Sequence, residues 1–217
     1  MFMKKTILNL ALFATSMFAA TSSIALEEPE FTTVATIDGI EYRQYSSYLV
    51  AETVVSSELT RSKAANLGFR RLFDYISGGN LARQSIEMTA PVQQKSLGQK
   101  IEMTAPVQQQ EIAQGWAISF VVPSQFNLNN VPTPTSPDVY IKEIPGRIMA
   151  VNRYSGRWTD KKLSKESAQL FAILKAAGVQ NSGELVSASY NAPFVPPFMR
   201  RNEVMVEVNR VPENPGL

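Results

Sequence analysis

Two residue types are missing from the 217-residue chain: it has no cysteine and no histidine. Without cysteine there is no disulfide, so the fold must rest on an apolar core. Cysteine proteases, Ser-His-Asp hydrolases and Cys/His zinc centres all need side chains that this sequence does not contain. Long apolar runs are short as well. Ile7–Ala20 is a fourteen-residue stretch without a charge, below the roughly 20 residues that a transmembrane helix needs. Lys4 and Lys5 precede it and Ser23-Ile24-Ala25 follows, small residues at the positions a signal peptidase reads. Residues 1–25 are therefore expected to be a cleaved signal peptide. The mature chain, 26–217, would be periplasmic or secreted and would not span the membrane. An excess of either charge is also lacking. Twenty-one basic residues face nineteen acidic ones, two of the lysines lie in the leader, and the remainder is formally neutral. A basic surface for nucleic acid is not indicated.

What is present is alternation. Thr33–Ile37, Glu41–Tyr45 and Tyr48–Val55 read as strands, the last rich in β-branched residues. The period then changes over Thr60–Ser77. Ala65, Phe69, Leu72, Phe73 and Ile76 recur at the spacing of one helix face, and Gly78-Gly79-Asn80 supplies a stop. Strand patterns return at Ser85–Val92, Lys100–Val107 and Trp116–Val122, before a proline-punctuated loop over 123–137. The order then recurs. Val139–Ile144 and Arg147–Tyr154 are strands, Thr159 is placed to cap a helix running through Ala177, and Glu184–Ser189 and Glu203–Val208 close the chain. Leu163, Ser167, Leu170, Phe171 and Leu174 repeat the first helix stripe at a constant spacing, with Leu-Phe identical in both. No linker divides the two parts. The expectation is one α+β domain over 26–217, built from duplicated β-β-α-β-β halves.

The nonapeptide IEMTAPVQQ occurs twice, at Ile86–Gln94 and Ile101–Gln109. Its apolar residues alternate with polar ones, a one-sided strand pattern. The copies lie fifteen residues apart, an odd number that would send them to opposite faces of one straight strand. A turn at Lys95–Gln99 removes that conflict and predicts a hairpin whose arms share one core. Glu87 and Glu102 occupy equivalent places in the copies. They are candidates for a carboxylate pair, but both alternate away from the apolar face and read as solvated.

Four motifs in order, MTAPV after a helix ending in GGN, ISFVVPSQF, AVNRYSG and YNAPFVPPFMRRNEV, resemble the SOUL haem-binding family. The resemblance runs from about Glu41 to Val208. It implies a distorted antiparallel β-barrel flanked by two helices, and a protein that binds haem or a related tetrapyrrole without catalysing a reaction. This chain departs from the simple form of that expectation, because without histidine iron has no imidazole ligand. Met88, Met103, Met149, Met199 and Met205 remain after the leader, and methionine in strands is usually core filler. Binding would rest on apolar contact with the macrocycle and on cations for its carboxylates, with no strong axial ligand and no structural metal.

The resemblance associates the tetrapyrrole with the first helix and the late loop. Leu67, Arg70, Arg71, Asp74 and Tyr75 lie opposite the predicted core stripe. Leu67 and Tyr75 would offer apolar area, and Arg70 and Arg71 bidentate partners for carboxylates. The loop Asn191–Arg201 would add Phe194, Phe198 and Met199. Two structural readings stand beside this: a solvated helix face with Arg70–Asp74 as an i,i+4 pair, and a loop packed by its own aromatics. The leading expectation is an exported carrier or buffer of haem or another tetrapyrrole. A generic binder of hydrophobic small molecules, a tetrapyrrole-processing enzyme and a protein-docking module are the alternatives.

Overall fold

The computed structural model describes residues 26–82, 98–192 and 194–213. The expected leader, the first nonapeptide copy with its strand Ser85–Val92, and Glu87 lie outside these residues. Alternating segments become strands: β1 Phe31–Ile37, β2 Ile40–Tyr45 and β3 Tyr48–Ser56, followed by helix α1 Arg61–Ile76. Then come β4 Asn80–Leu81, β5 Val107–Ile112, β6 Gly115–Val121, β7 Thr133–Pro134, β8 Tyr140–Ile144 and β9 Arg147–Tyr154. Helix α2 Asp160–Ala176, β10 Val186–Ser189 and β11 Asn202–Glu207 complete the chain. The tight β1–β2 connection is made by Asp38 and Gly39, both at positive φ, as short hairpin turns require.

Nine strands form one antiparallel sheet in the order β1-β2-β9-β11-β10-β5-β6-β3-β8. β4 and β7 pair separately. The large sheet curls into a half-barrel with both helices on its convex side. Setting β1 aside, the order is palindromic: exchanging β2 with β8, β9 with β3, β11 with β6 and β10 with β5 reverses it. The α+β class and the duplicated halves read from the sequence are thus present in the topology.

Each helix covers its own pair of strands. Leu72, Tyr75 and Ile76 of α1 pack with Leu49, Ala51, Ile118 and Phe120 of β3 and β6. Leu170 and Leu174 of α2 pack with Ile40, Tyr42, Ala150, Val204 and Val206. The two helix starts meet at Arg61, a buried cation whose Nε bonds Asp160 and whose Nη1 bonds Gln109 Oε1. The same guanidinium lies 4.6 Å from the Trp158 ring centroid. On the concave face Tyr45, Met149, Val151, Val186, Ala188 and Met205 form a third apolar cluster. Beside it Arg43 grips buried Glu203 through two bonds of 3.0 Å.

Two expectations need correction. The stripe Ala65-Phe69-Leu72-Phe73-Ile76 is not the buried face of α1; that face runs through Arg61, Ala64, Gly68, Leu72, Tyr75 and Ile76, a rotation of roughly a quarter turn. The cause is Gly68. A Cβ there would stand 2.7 Å from Ile118 Cβ, so the helix is seated at the one position where its backbone approaches the sheet most closely. The second correction concerns the second nonapeptide copy. Lys100–Val107 is not a strand, and the ladder begins only at Val107. Ile101 and Ala105 are buried as alternation requires, but Met103 is exposed. Thr104 turns inward instead, its hydroxyl donating to the Val121 carbonyl. Glu102 is exposed, as its place in the pattern implied.

Candidate functional site

The rotation of α1 redistributes the residues expected to form a platform. Tyr75 is buried in the core and donates its hydroxyl to the Pro132 carbonyl at 2.9 Å. Leu67 is half-buried against the same core. Arg71 is committed to the sheet: Nη1 bonds Thr53 Oγ1 and the Val54 carbonyl, and Nη2 pairs with Asp138 at 3.0 Å. Arg70 is exposed and has no ion pair among the described residues. The four therefore do not make one surface. Arg71 marks the flank of α1 that faces β3 and β8.

The opposite flank carries the apolar surface. Phe69 and Phe73, one turn apart, stack with centroids at 6.0 Å and planes 12° from parallel. Phe69 also meets Phe120 of β6 edge-on at 5.3 Å. Both are more than a third exposed. Sequence reasoning missed them by assigning them to the core. Gly68 beside them was the available signal, since a mid-helix glycine often marks a close backbone approach.

The late loop stands at the same end of the sheet. β10 ends at Ser189, which pairs with Val107 of β5, which in turn pairs with Phe120 of β6. The loop thus leaves the sheet two strand spacings, about 10 Å, from the strand beneath Phe69. Val107, half-buried against the α1 core, lies between. Phe194, Phe198 and Met199 are 87%, 78% and 64% exposed, which is extreme for such large apolar side chains. The expectation that the loop would pack its own aromatics does not hold for these three.

The loop backbone is nonetheless well tied. Tyr190 N–H donates to the Arg201 carbonyl across its base, and Gly156 N–H donates to the Pro197 carbonyl at 2.9 Å. Arg200 Nε donates to the Val195 carbonyl at 2.7 Å. Arg201 is held by Glu28 and Glu203 and lies 3.7 Å from the Tyr190 ring centroid, so it does not reach outward. Arg157, exposed and next to Gly156, is a cation beside the loop. The result is a fixed apolar prominence at the same end of the sheet as the aromatic flank of α1, and the space between the two is the candidate trough.

The donor set limits what metal chemistry the trough could support. Among the described residues no group of three carboxylate, imidazole or thiolate side chains is placed to hold a metal ion. Met149 and Met205 are buried in the concave cluster, and the exposed sulfurs among the described residues are Met103 and, in the loop, Met199. Tyr190 is no free phenolate either. Burial and the nearby Glu203 charge raise its pKa, and its hydroxyl donates to Glu203 at 2.6 Å. The residues fit the flat faces of a macrocycle better than they fit a central iron.

The comparisons with known proteins agree with this geometry. The family model described as SOUL heme-binding protein matches residues 26–207. Heme-binding protein 2 of Mus musculus is 30% identical over 175 residues, which cover 78% of this chain and 80% of that protein. Among solved structures, the EcmrR C-terminal domain superposes with a TM-score of 0.54 at 10% identity, covering 79% of this chain and 98% of that one. EcmrR in its DNA complex gives the same TM-score at 9% identity, covering 79% of this chain and 57% of that one. At such identities the structural likeness concerns the fold alone. The motifs, the half-barrel and the match across nearly the whole described chain establish that this protein belongs to the SOUL haem-binding family.

Proposed function

We propose that the protein binds haem or a related tetrapyrrole reversibly in the trough between Phe69–Phe73 and the Phe194–Met199 loop. It would act as a carrier or buffer outside the cytoplasm, and would itself catalyse no reaction. One observation carries the reading: a parallel phenylalanine pair and a tied loop with three outward apolar side chains stand at one end of the sheet, on strands about 10 Å apart. A flat aromatic guest buries its faces between such walls, and aromatic stacking adds to the area term. Arg157 and Arg70 are the exposed cations available to the guest's carboxylates. Iron is held weakly or not at all, since the chain has no histidine or cysteine and the loop offers only the Met199 thioether as a soft donor. Export rests on the leader read in residues 1–25, and a formally neutral mature chain offers no reason to expect a nucleic-acid partner.

The test is a titration of the purified protein with haemin, followed through the Soret band. Saturable one-to-one binding at micromolar concentration supports the proposal. The Phe198→Ser, Met199→Ser double variant should weaken it about tenfold, the loss of roughly 1.4 kcal/mol of apolar contact. An unchanged Soret band at micromolar haemin would defeat the tetrapyrrole reading. Equal binding of unrelated apolar dyes would replace it with a generic hydrophobic binder.

A further inference from the structure

The concave face of the sheet, on the opposite side from both helices and the trough, holds a separate cavity of about 180 Å³. Glu52 of β3, Gln108 and Gln110 of β5, Ser119 of β6, Lys142 of β8 and Arg147 of β9 line it. The curl of the half-barrel brings these strands round one space, and Pro145 in the β8–β9 turn closes a side. At the ~30 Å³ that a water occupies in the liquid, the cavity holds about six waters. A tetrapyrrole does not fit there; a small polar molecule does.

The wall chemistry says which kind. Glu52 is buried and already saturated, accepting from Ser119 Oγ at 3.0 Å, Tyr140 OH at 2.6 Å and Lys142 Nζ at 3.2 Å. Its charge is therefore matched by Lys142 before any guest arrives. Arg147 is different. Its Nη1 makes one long pair with Glu207, 3.4 Å, Glu207 is not part of the lining, and the other guanidinium N–H groups have no partner among the described residues. Two carboxamides converge with it. The Gln110 side chain makes no hydrogen bond among the described residues, and that of Gln108 has one long contact, 3.4 Å to Tyr48 OH. Both carboxamides are half-buried on an interior strand of the sheet, so their free capacity faces the cavity, where a guest can take the place of water. Gln109, on the other face of the same strand, shows the contrast: it is buried and exchanges hydrogen bonds with Arg61.

We infer that this cavity is a binding site for a small organic carboxylate carrying a second hydrogen-bonding group. The guanidinium of Arg147 takes the carboxylate, a geometry that favours arginine over lysine. Gln108 and Gln110 each present a donor and an acceptor to the remainder of the guest. The site does not depend on the trough, since it lies across the sheet from it and uses none of its residues.

The experiment is ligand-observed NMR on the purified protein with succinate, malate and L-glutamate, and with putrescine as the cationic control. The expected result is saturable binding of at least one carboxylate at or below about 10 mM, with haemin binding unaffected. Arg147→Gln should weaken it about tenfold, as loss of a charge-assisted pair does. Gln110→Ala, which removes a side chain with no hydrogen-bond partner among the described residues, should weaken it about threefold. It remains informative if the arginine variant does not fold. The inference is overturned if no carboxylate binds in that range, if putrescine binds in their place, or if binding is unchanged in folded Arg147→Gln or in Gln110→Ala.

Discussion

The half of the sheet under α1 and the half under α2 share one topology but have been put to different uses. Taken at the spacing that aligns Leu72-Phe73 with Leu170-Phe171, Gly68 corresponds to Glu166 and Phe69 to Ser167. In α1 the glycine seats the helix against Ile118 and turns the phenylalanine pair outward. In α2 Glu166 is buried, pairs with Lys162 and accepts from Asn152, while Ser167 folds back on the Leu163 carbonyl. Only one aromatic, Phe171, stays exposed on that flank. The connections differ in the same sense. The β10–β11 loop, Tyr190–Arg201, leads out to the apolar prominence beside α1, whereas the equivalent β5–β6 turn is Ala113-Gln114 alone. A duplicated fold starts with two equivalent ends, and here one of them has gained both the exposed phenylalanine pair and the apolar loop.

The concave face repeats the contrast. Each half places one buried acid there. Glu203, on β11, is closed off by Arg43, Tyr190 and Arg201. Glu52, on β3, sits at the edge of an open cavity with a half-exposed lysine as partner. The first is a lock and the second a wall. The largest effect should therefore come from breaking the lock. Glu203→Leu leaves Arg43 and Arg201 with only the more exposed Glu41 and Glu28 and should cost about 3 kcal/mol, whereas Glu52→Gln, which keeps hydrogen-bonding capacity beside solvent, should cost about 1 kcal/mol; urea unfolding measures both. Burial alone would push the Glu203 carboxyl up, but the bonds and charge of Arg43, with Tyr190 and Arg201, hold it below its ordinary value. A depressed carboxyl stabilises the fold above its unfolded pKa and loses that contribution as pH falls through the folded value. The stability gap between wild type and Glu203→Gln should thus be flat above about pH 5 and shrink below about pH 4. A gap that widened on acidification would mean the carboxyl is not held ionised.

Next in size is the seat of α1. Gly68→Ala drives a methyl into Ile118 and should destabilise by about 1–3 kcal/mol, the range for overpacking, despite alanine's better helix propensity. Its counterpart Glu166→Ala should cost about 1 kcal/mol or less. Asn152 keeps its bond to the Glu166 backbone carbonyl, which the substitution leaves in place. Equal costs would show that the two helices are seated alike.

How much of this was readable beforehand follows from what alternation and helical period measure. Both report apolar side chains, so β1, β2, β3, β6, β8, β9, β11 and both helices were found close to their observed bounds. They fail where a contact is made by something else. Gly68 and buried Arg61 carry the inner face of α1 and count as polar or neutral, which left Phe69 and Phe73 to be assigned inward. β5 reads VQQQEI, a central strand whose glutamines serve a cavity on one face and Arg61 on the other, with no apolar rhythm to reveal it. The preceding IEMTAPV has the rhythm without the strand, because the Thr104 hydroxyl takes the Val121 carbonyl and the ladder starts later. Phe194, Phe198 and Met199 were singled out through the family resemblance, which associates the late loop with the tetrapyrrole; neither alternation nor helical period reports the exposure of a loop side chain.

A third comparison tests the trough against its symmetry-related end. Phe69→Ser with Phe73→Ser should weaken haemin binding about tenfold, equal to roughly 1.4 kcal/mol, and Phe171→Ser should leave it unchanged. Both sets are exposed aromatics on the same flank of equivalent helices, so a nonspecific apolar effect would move them together. If Phe171→Ser also weakened binding tenfold, the guest would not be distinguishing the two ends.

The smallest difference is at the helix starts. Thr159 caps α2 by accepting from Lys162 N–H at 3.3 Å, and Asp160 adds an acid to the first turn. Thr60 occupies the equivalent place before α1 but makes no side-chain cap, and that first turn holds no acid. Thr159→Ala should therefore cost about 0.5–1 kcal/mol, the lower part of the capping range, and Thr60→Ala close to nothing by thermal or urea unfolding. Asp160 also bonds the side chain of Arg61 at position one of α1, and as a carboxylate in the first turn of α2 it is itself stabilising there. Asp160→Asn should then reduce stability by more than Thr60→Ala does, because one acid serves the starts of both helices. If Thr60→Ala proved the costlier of the two, α1 would be capped by its own side chain, and the asymmetry between the halves would not extend to their first turns.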